Sequence, residues 1–147
     1  MARTPQRGGH WSLRQVAIVA DVSLATARAV AGRGHLDVAH LGPIDVLVVR
    51  VATAAATFGL HNEARPANEA RLVPARERSA VAAVRDQIEA LSSASILVVT
   101  ATSSRLLGST GEQAGTLLTL AGAGEQFLSI PVGAWWYEIF SGLPVSA

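Results

Sequence analysis

The sequence predicts an α+β protein, with an N-terminal domain of three helices and a small wing, and a small C-terminal α+β domain with a largely antiparallel sheet. Three observations lead to this fold class. Apolar side chains recur at helical spacing in residues 13–58, short segments rich in branched residues follow residue 94, and a charged stretch with prolines lies between them. The predicted domains are residues 1–59 and 80–147, joined by a linker at 60–79.

Composition limits the classes of function. Half of the 147 residues are hydrophobic, enough for a packed core, and there is no cysteine for a disulfide or a thiolate metal site. All 12 basic residues are arginine, so P-loop ATPases, ordinary protein kinases and Schiff-base enzymes lack the lysine they need. We expect no enzymatic activity, no cofactor and no metal. Charges interrupt every apolar stretch before about 20 residues, so we expect no membrane span. The expected location is the cytoplasm, with which the absence of cysteine is compatible.

Residues 13–33 fit two short helices folded across a tight turn. The first helix is predicted at 13–20, and Asp21 ends it because aspartate tolerates the left-handed backbone of a sharp turn. Ser23 is a good N-cap, since its hydroxyl accepts from an otherwise unpaired amide, for a second helix at 24–33. Such a pair is a helix-turn-helix, although all-helical domains that never contact DNA also contain it.

This stretch resembles the opening of LacI-type repressors. The shared sub-motifs are Val16-Ala17, Ala20-Asp21-Val22-Ser23 and Ala25-Thr26, with aspartate at position 21 where those families usually have glycine. Residues 33–52 resemble the winged helix-turn-helix domains of MerR-type and excisionase-type proteins, in which a short loop or wing precedes a third helix. The resemblance implies a DNA-binding fold that docks in a groove of double-stranded DNA.

The outward face of the second helix is predicted to carry one strong base-contacting side chain. Arg28 can make the bidentate contact with guanine, and Leu24 or Ala25 can pack on a thymine methyl. Ala27 and Val30 face inward. One strong contact discriminates poorly among sites, so we expect a homo-oligomer. The predicted DNA-contacting residues are Arg14, Ser23, Leu24, Ala25, Thr26, Arg28, Arg33 and His35.

Charge is distributed unevenly along the chain. Residues 1–50 hold six arginines and three aspartates, a formal charge of +3, and the rest holds six arginines and eight acidic residues, a charge of −2. A basic half that bears the helix-turn-helix favours approach to phosphate. Arg3, Arg7 and His10 form either a flexible arm on DNA or a solvated terminus.

A third helix is predicted to close the N-terminal domain. Residues 35–41 are short enough for a small wing or an irregular loop. Pro43 then suits the first helical position, and Asp45 complements the positive end of the helix dipole. Apolar residues hold one face as far as Phe58, and Gly59 ends the helix.

A further helix is predicted to follow the linker. Pro66 and Pro74 should interrupt any long helix within the linker, and Ser79 is the predicted N-cap of the next one. That helix either pairs across a dimer or, as we favour for so short a helix, covers a sheet in its own domain. Its apolar seam consists of Val81, Val84, Ile88 and Leu91.

Three strands are predicted in the C-terminal domain, at residues 95–102, 116–121 and 126–132. The first is apolar on both faces and is therefore expected to be central. The glycine-rich stretch 108–115 lacks the lysine of a P-loop and the glycine spacing of a dinucleotide site. We interpret it as a mobile hairpin connection in preference to a phosphate site.

The C-terminal segment concentrates aromatic residues in a chain otherwise poor in them. As a helix it places Trp136 and Phe140 on one side and Trp135 on another, more than so small a domain can bury. The predicted interface residues are Trp135, Trp136, Tyr137 and Phe140, and the alternative is a terminal helix that seals the sheet.

These features together predict a sequence-specific DNA-binding protein, a bacterial transcriptional regulator that acts as a dimer or higher oligomer. Two alternatives stay open. One is a plasmid or phage accessory protein for partition, replication or excision. The other is a protein-interaction module whose helix-turn-helix no longer binds DNA. The C-terminal domain is expected to serve dimerisation, a protein partner or an effector.

Overall fold

The computed structural model describes residues 11–57, 69–101 and 103–142. These residues form an α+β fold with six α-helices and one antiparallel sheet, which confirms the predicted class. The elements in chain order are α1 (Leu13–Ala20), α2 (Leu24–Gly32), α3 (Pro43–Ala56), α4 (Glu69–Asp86), a 3-10 turn (Ile88–Ala90), β1 (Ile96–Thr100), β2 (Ser104–Leu107), α5 (Thr110–Gly122), β3 (Phe127–Ile130) and α6 (Val132–Gly142).

The chain divides into two compact units, and the division differs from the predicted domains. Unit 1 draws on Met1–Arg50 and Trp135–Ala147, and unit 2 on Val51–Ala134. Unit 1 groups the aromatic residues of α6 with the helix-turn-helix, and its limit at Arg50 lies within α3. Sequence spacing could not indicate this, because the contacts that join Arg50 to the tail connect distant parts of the chain.

Unit 1 buries the inner faces of its helices, as predicted. Val16, Ala17 and Ala20 are buried on α1, and Ala27 and Val30 on α2. In α3, residues 46–49 are buried without interruption, so the first half of this helix is enclosed on every side, whereas Thr53 and Ala54 in its second half are half-buried. Asp45 in its first turn is also buried, and its carboxylate accepts from the backbone N–H of Gly42 at 2.7 Å. Phe58 and Gly59, the predicted end of α3, lie outside the described residues.

The segment between α2 and α3 is an irregular loop. Residues 33–42 contain turns and no strand, so the predicted wing does not form there and the alternative is the one observed. Leu36 and Leu41 are buried and anchor the segment, and Gly34 takes a positive φ of 88° that permits its turn.

The sheet has the strand order β2-β1-β3, with both pairs antiparallel. β1 is central, as predicted, and its residues 97–100 are buried on both faces. Leu97 lies between Leu106 on β2 and Ile130 on β3, and Leu97 and Ile130 are buried in the core. Strand β2 was not predicted, since Ser104 and Arg105 interrupt its apolar pattern.

The helix α5 contradicts two predictions. Residues 116–121 are helical rather than a strand, and the stretch 108–115 is mostly the first turns of that helix rather than a hairpin connection. The Ser109 hydroxyl accepts from the N–H of Glu112, and the Glu112 carboxylate accepts from the N–H of Gly108. This pattern of serine followed three residues later by glutamate marks a helix start, and it outweighs the strand-like composition that follows.

The helix α4 contradicts the predicted linker and cap. It begins at Glu69 and runs through Pro74, and Ser79 lies in its interior rather than at its N-cap. Residues 60–68 lie outside the described part of the chain. α4 contacts β1 and β2 and buries Val81 and Val84, so it covers the sheet of its own unit, as we favoured.

The start of α6 is packed against the segment before β1. The N–H of Gly133 donates to the carbonyl of Ser95 at 2.9 Å. A Cβ atom at Gly133 would overlap the carbonyl oxygen of Ser92 and come within 2.8 Å of the Ser95 nitrogen. Only glycine fits here, and Val132, predicted as the end of a strand, already belongs to α6.

Candidate nucleic-acid interface

The helices α1 and α2 meet at an angle of 115° across the three residues 21–23. Helix-turn-helix pairs typically cross at about 90–120° through a turn of this length. No helix in the described ranges is long and apolar enough to cross a membrane alone, and only this bent pair would suffice by length and composition. The bend separates the two helices into different directions, which presents the outer face of α2 as a separate surface.

Asp21 makes the sharp turn possible. It adopts a left-handed conformation, with φ 58° and ψ 45°, and it is the one non-glycine residue with positive φ in the described part of the chain. Its N–H donates to the carbonyl of Ile18, and the N–H of Val22 donates to the carbonyl of Ala17. These two bonds satisfy the last carbonyls of α1 and confirm the predicted turn.

Ser23 caps α2 as predicted. Its hydroxyl accepts from the N–H of Thr26 at 3.1 Å and lies 2.9 Å from the hydroxyl of Thr26. Both side chains were also predicted to contact DNA. Their first role in the structure is to fix the position at which α2 begins.

The outer face of α2 is composed of small residues around one arginine. Ala25, Arg28, Ala29 and Gly32 are exposed, whereas Leu24 and Thr26 are half-buried. Their spacing of three and four residues makes the four exposed positions one continuous patch, which we call the α2 face. Ala29 and Gly32 were not in the predicted contact set.

Positive charge lies at both ends of the helix-turn-helix. Arg14 is exposed at the start of α1, Arg33 is exposed directly after α2, and His35 is half-buried two residues later. The nearest acidic residues in sequence are Asp21 and Asp37, both exposed. No acidic residue occurs from position 22 to 36, so α2 itself presents only positive charge.

Arg50 joins α3 to α6 within unit 1. Its guanidinium carbon lies 4.2 Å from the ring centroid of Trp135, and its Nη1 lies 3.6 Å from a carboxylate oxygen of Glu138. A guanidinium over an indole ring is a favourable cation–π arrangement. Arg50 therefore holds the aromatic helix in place, a role that the sequence did not predict.

The predicted interface residues fall into two groups. Tyr137 and Phe140 are exposed by 52% and 47%, and the ring of Phe140 lies edge-on to Trp136 with centroids 4.6 Å apart. In unit 2, by contrast, the chain itself buries Val81, Val84 and Leu91, and Ile88 is half-buried. The apolar seam of unit 2 is therefore part of the internal core. Among the predicted interface residues, the exposed ones are Tyr137 and Phe140 on α6.

Among the described residues, no group of three or more histidine, aspartate or glutamate side chains is arranged to hold a metal ion. The closest pair is His40 and Asp37, whose Nδ1 and Oδ2 atoms lie 2.8 Å apart. Hydrogen bonds from the ring of His40 and from the N–H of Ala39 lower the pKa of Asp37 below 3.8, because they favour the charged carboxylate.

The chain matches no protein-family model, no curated protein and no solved structure. The functional argument therefore depends on the residues and geometry of this chain.

Proposed function

We propose that this protein binds double-stranded DNA in a sequence-specific manner, with α2 as the helix that enters the major groove. The observation that carries the proposal is a 115° helix pair whose second helix presents an exposed Arg28 and no acidic residue. In DNA-binding proteins, helix pairs of this geometry place the second helix in the major groove, which is about 12 Å wide. Transcriptional regulation is the use that we infer for such a module.

The three exposed arginines of the helix-turn-helix are suited to different contacts. Arg28 lies in the middle of the α2 face, where a bidentate contact with the O6 and N7 atoms of guanine is within reach. Arg14 lies at the start of α1 and Arg33 directly after α2, and in DNA-binding helix-turn-helix proteins the first helix crosses the DNA backbone. We assign base recognition to Arg28 and phosphate contacts to the other two.

Assembly is part of the proposal, because one strong base contact is too little to select a site in a genome. We propose that the protein acts as a homo-oligomer through Tyr137 and Phe140. Both are large, exposed and in the same compact unit as α2. Aromatic side chains are enriched in protein interfaces, which supports this assignment over a terminal helix that only seals a core.

The test begins with selection of bound sites from a random duplex library, followed by titration of the selected site and of unrelated DNA. Arg28→Ala should reduce the preference for the selected site by about 1–3 kcal/mol per protomer. The matched control is Arg105→Ala, which removes the same charge from an exposed position in unit 2. The control should leave the preference unchanged.

Two outcomes would count against the proposal. If Arg28→Ala weakens binding to the selected site and to unrelated DNA by the same factor, Arg28 contacts phosphate and does not determine specificity. If the wild-type protein and Arg28→Ala bind DNA equally and without dependence on salt concentration, the helix pair does not read DNA.

A protein-interaction module is the second candidate, and one observation favours it. Of the five large hydrophobic side chains that are exposed among the described residues, Leu118 lies in unit 2, and the other four, Ile18, Val38, Tyr137 and Phe140, lie in unit 1. Such exposure is typical of surfaces that bind proteins. Failure of the DNA-binding test, together with self-association that Tyr137→Ala weakens, would favour this candidate.

A further inference from the structure

Most of α6 belongs to unit 1, and little of it is buried there. In residues 135–141, Ile139 is buried, the two tryptophans are half-buried and the remaining side chains are exposed. An apolar contact of the kind that Ile139 makes has no preferred direction. Burial of this residue therefore holds the helix in place without fixing its rotation about its own axis.

Two contacts of Arg50 supply the missing direction. Its guanidinium carbon lies 4.2 Å from the ring centroid of Trp135, within the range of a cation–π contact, and its Nη1 lies 3.6 Å from a carboxylate oxygen of Glu138. A planar guanidinium stacks on an aromatic ring in a defined orientation. Because the Glu138 side chain is 68% exposed, solvent screens the ion pair, and the contact with Trp135 contributes more.

Arg50 contacts the side of α6 that lies away from the proposed interface. Trp135 and Glu138 are three residues apart and share one side of the helix. Tyr137 and Phe140 have the same spacing, and each follows its counterpart by two residues, a rotation of about 200° at 3.6 residues per turn. Arg50 therefore holds one side of α6, and the opposite side presents the exposed Tyr137 and Phe140.

The helix that carries Arg50 is itself firmly held. Arg50 directly follows residues 46–49 of α3, which are fully buried. The Asp45 carboxylate accepts a backbone N–H at the start of α3, and buried Leu36 and Leu41 anchor the loop before it. A continuous series of packed elements thus leads from α2 through this loop and α3 to Arg50.

We infer that Arg50 is a positioning residue that sets the spacing between the half-sites recognised by the homo-oligomer. This inference rests on the proposed DNA binding and assembly. Helix-turn-helix dimers bind half-sites about one turn of DNA apart, and each added base pair moves one half-site by about 3.4 Å and rotates it by about 35°. With the rotation of α6 fixed by Arg50, the recognition helices of two copies have one separation and one relative direction, which fit one spacing.

The experiment uses the full chain and duplexes that carry two selected half-sites in their selected orientation. The spacer between them is lengthened by one base pair at a time. Fluorescence anisotropy gives the Kd for each duplex, and light scattering gives the mass of the free protein. The wild type should bind the best spacer about tenfold more tightly than its neighbours in the series, and about 100-fold more tightly than a single half-site.

Arg50→Met removes the guanidinium and retains an unbranched apolar side chain. We expect it to keep the oligomer mass and the Kd for a single half-site, while its preference for the best spacer over neighbouring spacers falls to about twofold. Arg50→Lys retains the charge but not the planar group, so it should restore the preference only in part. Glu138→Gln leaves the stacking contact intact and should keep most of the wild-type preference.

Two further variants connect the effect to the contact with Trp135. Trp135→Leu should reproduce the loss of spacer preference, and its combination with Arg50→Met should add nothing, because both changes remove the same contact. The matched control is Arg78→Met, which makes the same substitution at an exposed arginine in unit 2. It should leave the spacer preference unchanged.

The outcomes separate this inference from the proposed function. A weaker spacer preference at unchanged mass and unchanged half-site affinity supports it. The wild-type preference in Arg50→Met overturns it while DNA binding stands. A lower oligomer mass in this variant also overturns it, since Arg50 would then be needed for association itself. If the wild type binds DNA without preference among spacers, the inference and the proposed assembly fail together. Absence of DNA binding defeats the proposed function as well.

Discussion

The helix α2 in unit 1 and the helix α5 in unit 2 begin in the same way. Each follows an extended serine, Ser23 or Ser109, whose hydroxyl accepts from the N–H three residues later at 3.1 Å. Beyond the first turn they differ. α2 fully buries Ala27 and Val30, whereas α5 fully buries no residue and leaves Leu118 exposed by 73%.

The contrast shows that a cap determines where a helix begins, while packing determines how firmly it is held. α5 is attached at its first turn, where the side-chain amide of Gln113 donates to the carbonyls of Ala94 and Leu107 at 2.6 and 3.1 Å. Its later turns depend on half-buried leucines. The proposed recognition of bases needs a surface that is held in a fixed geometry, and α2 meets this requirement better than α5.

The largest expected effect is on the free energy of unfolding, and it tests whether unit 2 is loosely packed throughout or only at α5. Gly133→Ala should destabilise the protein by about 3 kcal/mol or more, because the new methyl overlaps the backbone at Ser92. Gly115→Ala makes the same change inside α5, where nothing lies within 4 Å of the added Cβ. It should stabilise α5 by about 0.5–1 kcal/mol.

Urea denaturation measures both variants against the wild type. Opposite signs for the same substitution would place the rigid part of unit 2 at the start of α6 and its weak part at α5. If Gly133→Ala leaves the free energy of unfolding unchanged, the backbone around Ser92 moves easily to make room for the methyl group. Loose packing in unit 2 would then extend beyond α5.

The next effect, about 1 kcal/mol, compares the two caps directly. Ser23→Ala and Ser109→Ala remove equivalent hydrogen bonds. We expect Ser23→Ala to lower the stability of unit 1, because α2 is part of a buried core, and Ser109→Ala to open α5 alone. Hydrogen exchange should then show about fivefold faster exchange of α5 amides in the second variant, with β1 protected as before. Faster exchange throughout unit 2 would contradict a local opening of α5.

The same contrast explains how much of the structure the sequence could predict. Residues 13–30 combine a cap, a turn and a helical period that all favour one structure, so α1, Asp21 and α2 were predicted correctly. In α5 the signals conflict. Residues 116–121 have the composition of a strand, and only the cap at Ser109 favours a helix. The predicted wing failed for a related reason, since glycines and short length suit a loop and a hairpin equally.

The site was predicted in part. Arg28 and its inner neighbours follow from helical spacing alone, and the exposed Ala29 and Gly32 follow from the same spacing once small side chains are counted. The contact of Arg50 with Trp135 and Glu138 could not be predicted, because no local pattern relates residues so distant in sequence. That contact brings the aromatic helix into unit 1.

A smaller effect concerns the turn that sets the α2 angle. Asp21 is held in the left-handed region, which is less favourable for aspartate than for glycine. Asp21→Gly should therefore raise the free energy of unfolding by about 0.5 kcal/mol. It should also strengthen DNA binding by removing an exposed acid. Asp21→Asn is the control for charge, since asparagine also tolerates this backbone. A loss of stability in Asp21→Gly would show that the aspartate side chain itself supports the turn.

The smallest effect is a pH dependence at the loop that follows α2. The pKa of Asp37 is lowered by hydrogen bonds from His40 and from the N–H of Ala39, relative to 3.8 in the unfolded chain. A carboxylate with a depressed folded pKa stabilises the fold above its unfolded pKa, and this contribution is lost as the pH falls through the folded value. His40→Ala should move the Asp37 titration, followed by carboxyl NMR, upwards towards 3.8. Since both side chains are exposed, we expect the stability above pH 5 to change little. If Asp37 titrates identically in the wild type and in His40→Ala, the hydrogen bond between the two side chains does not stabilise the carboxylate. The loop would then differ from α2, whose first turn is fixed by a side-chain hydrogen bond.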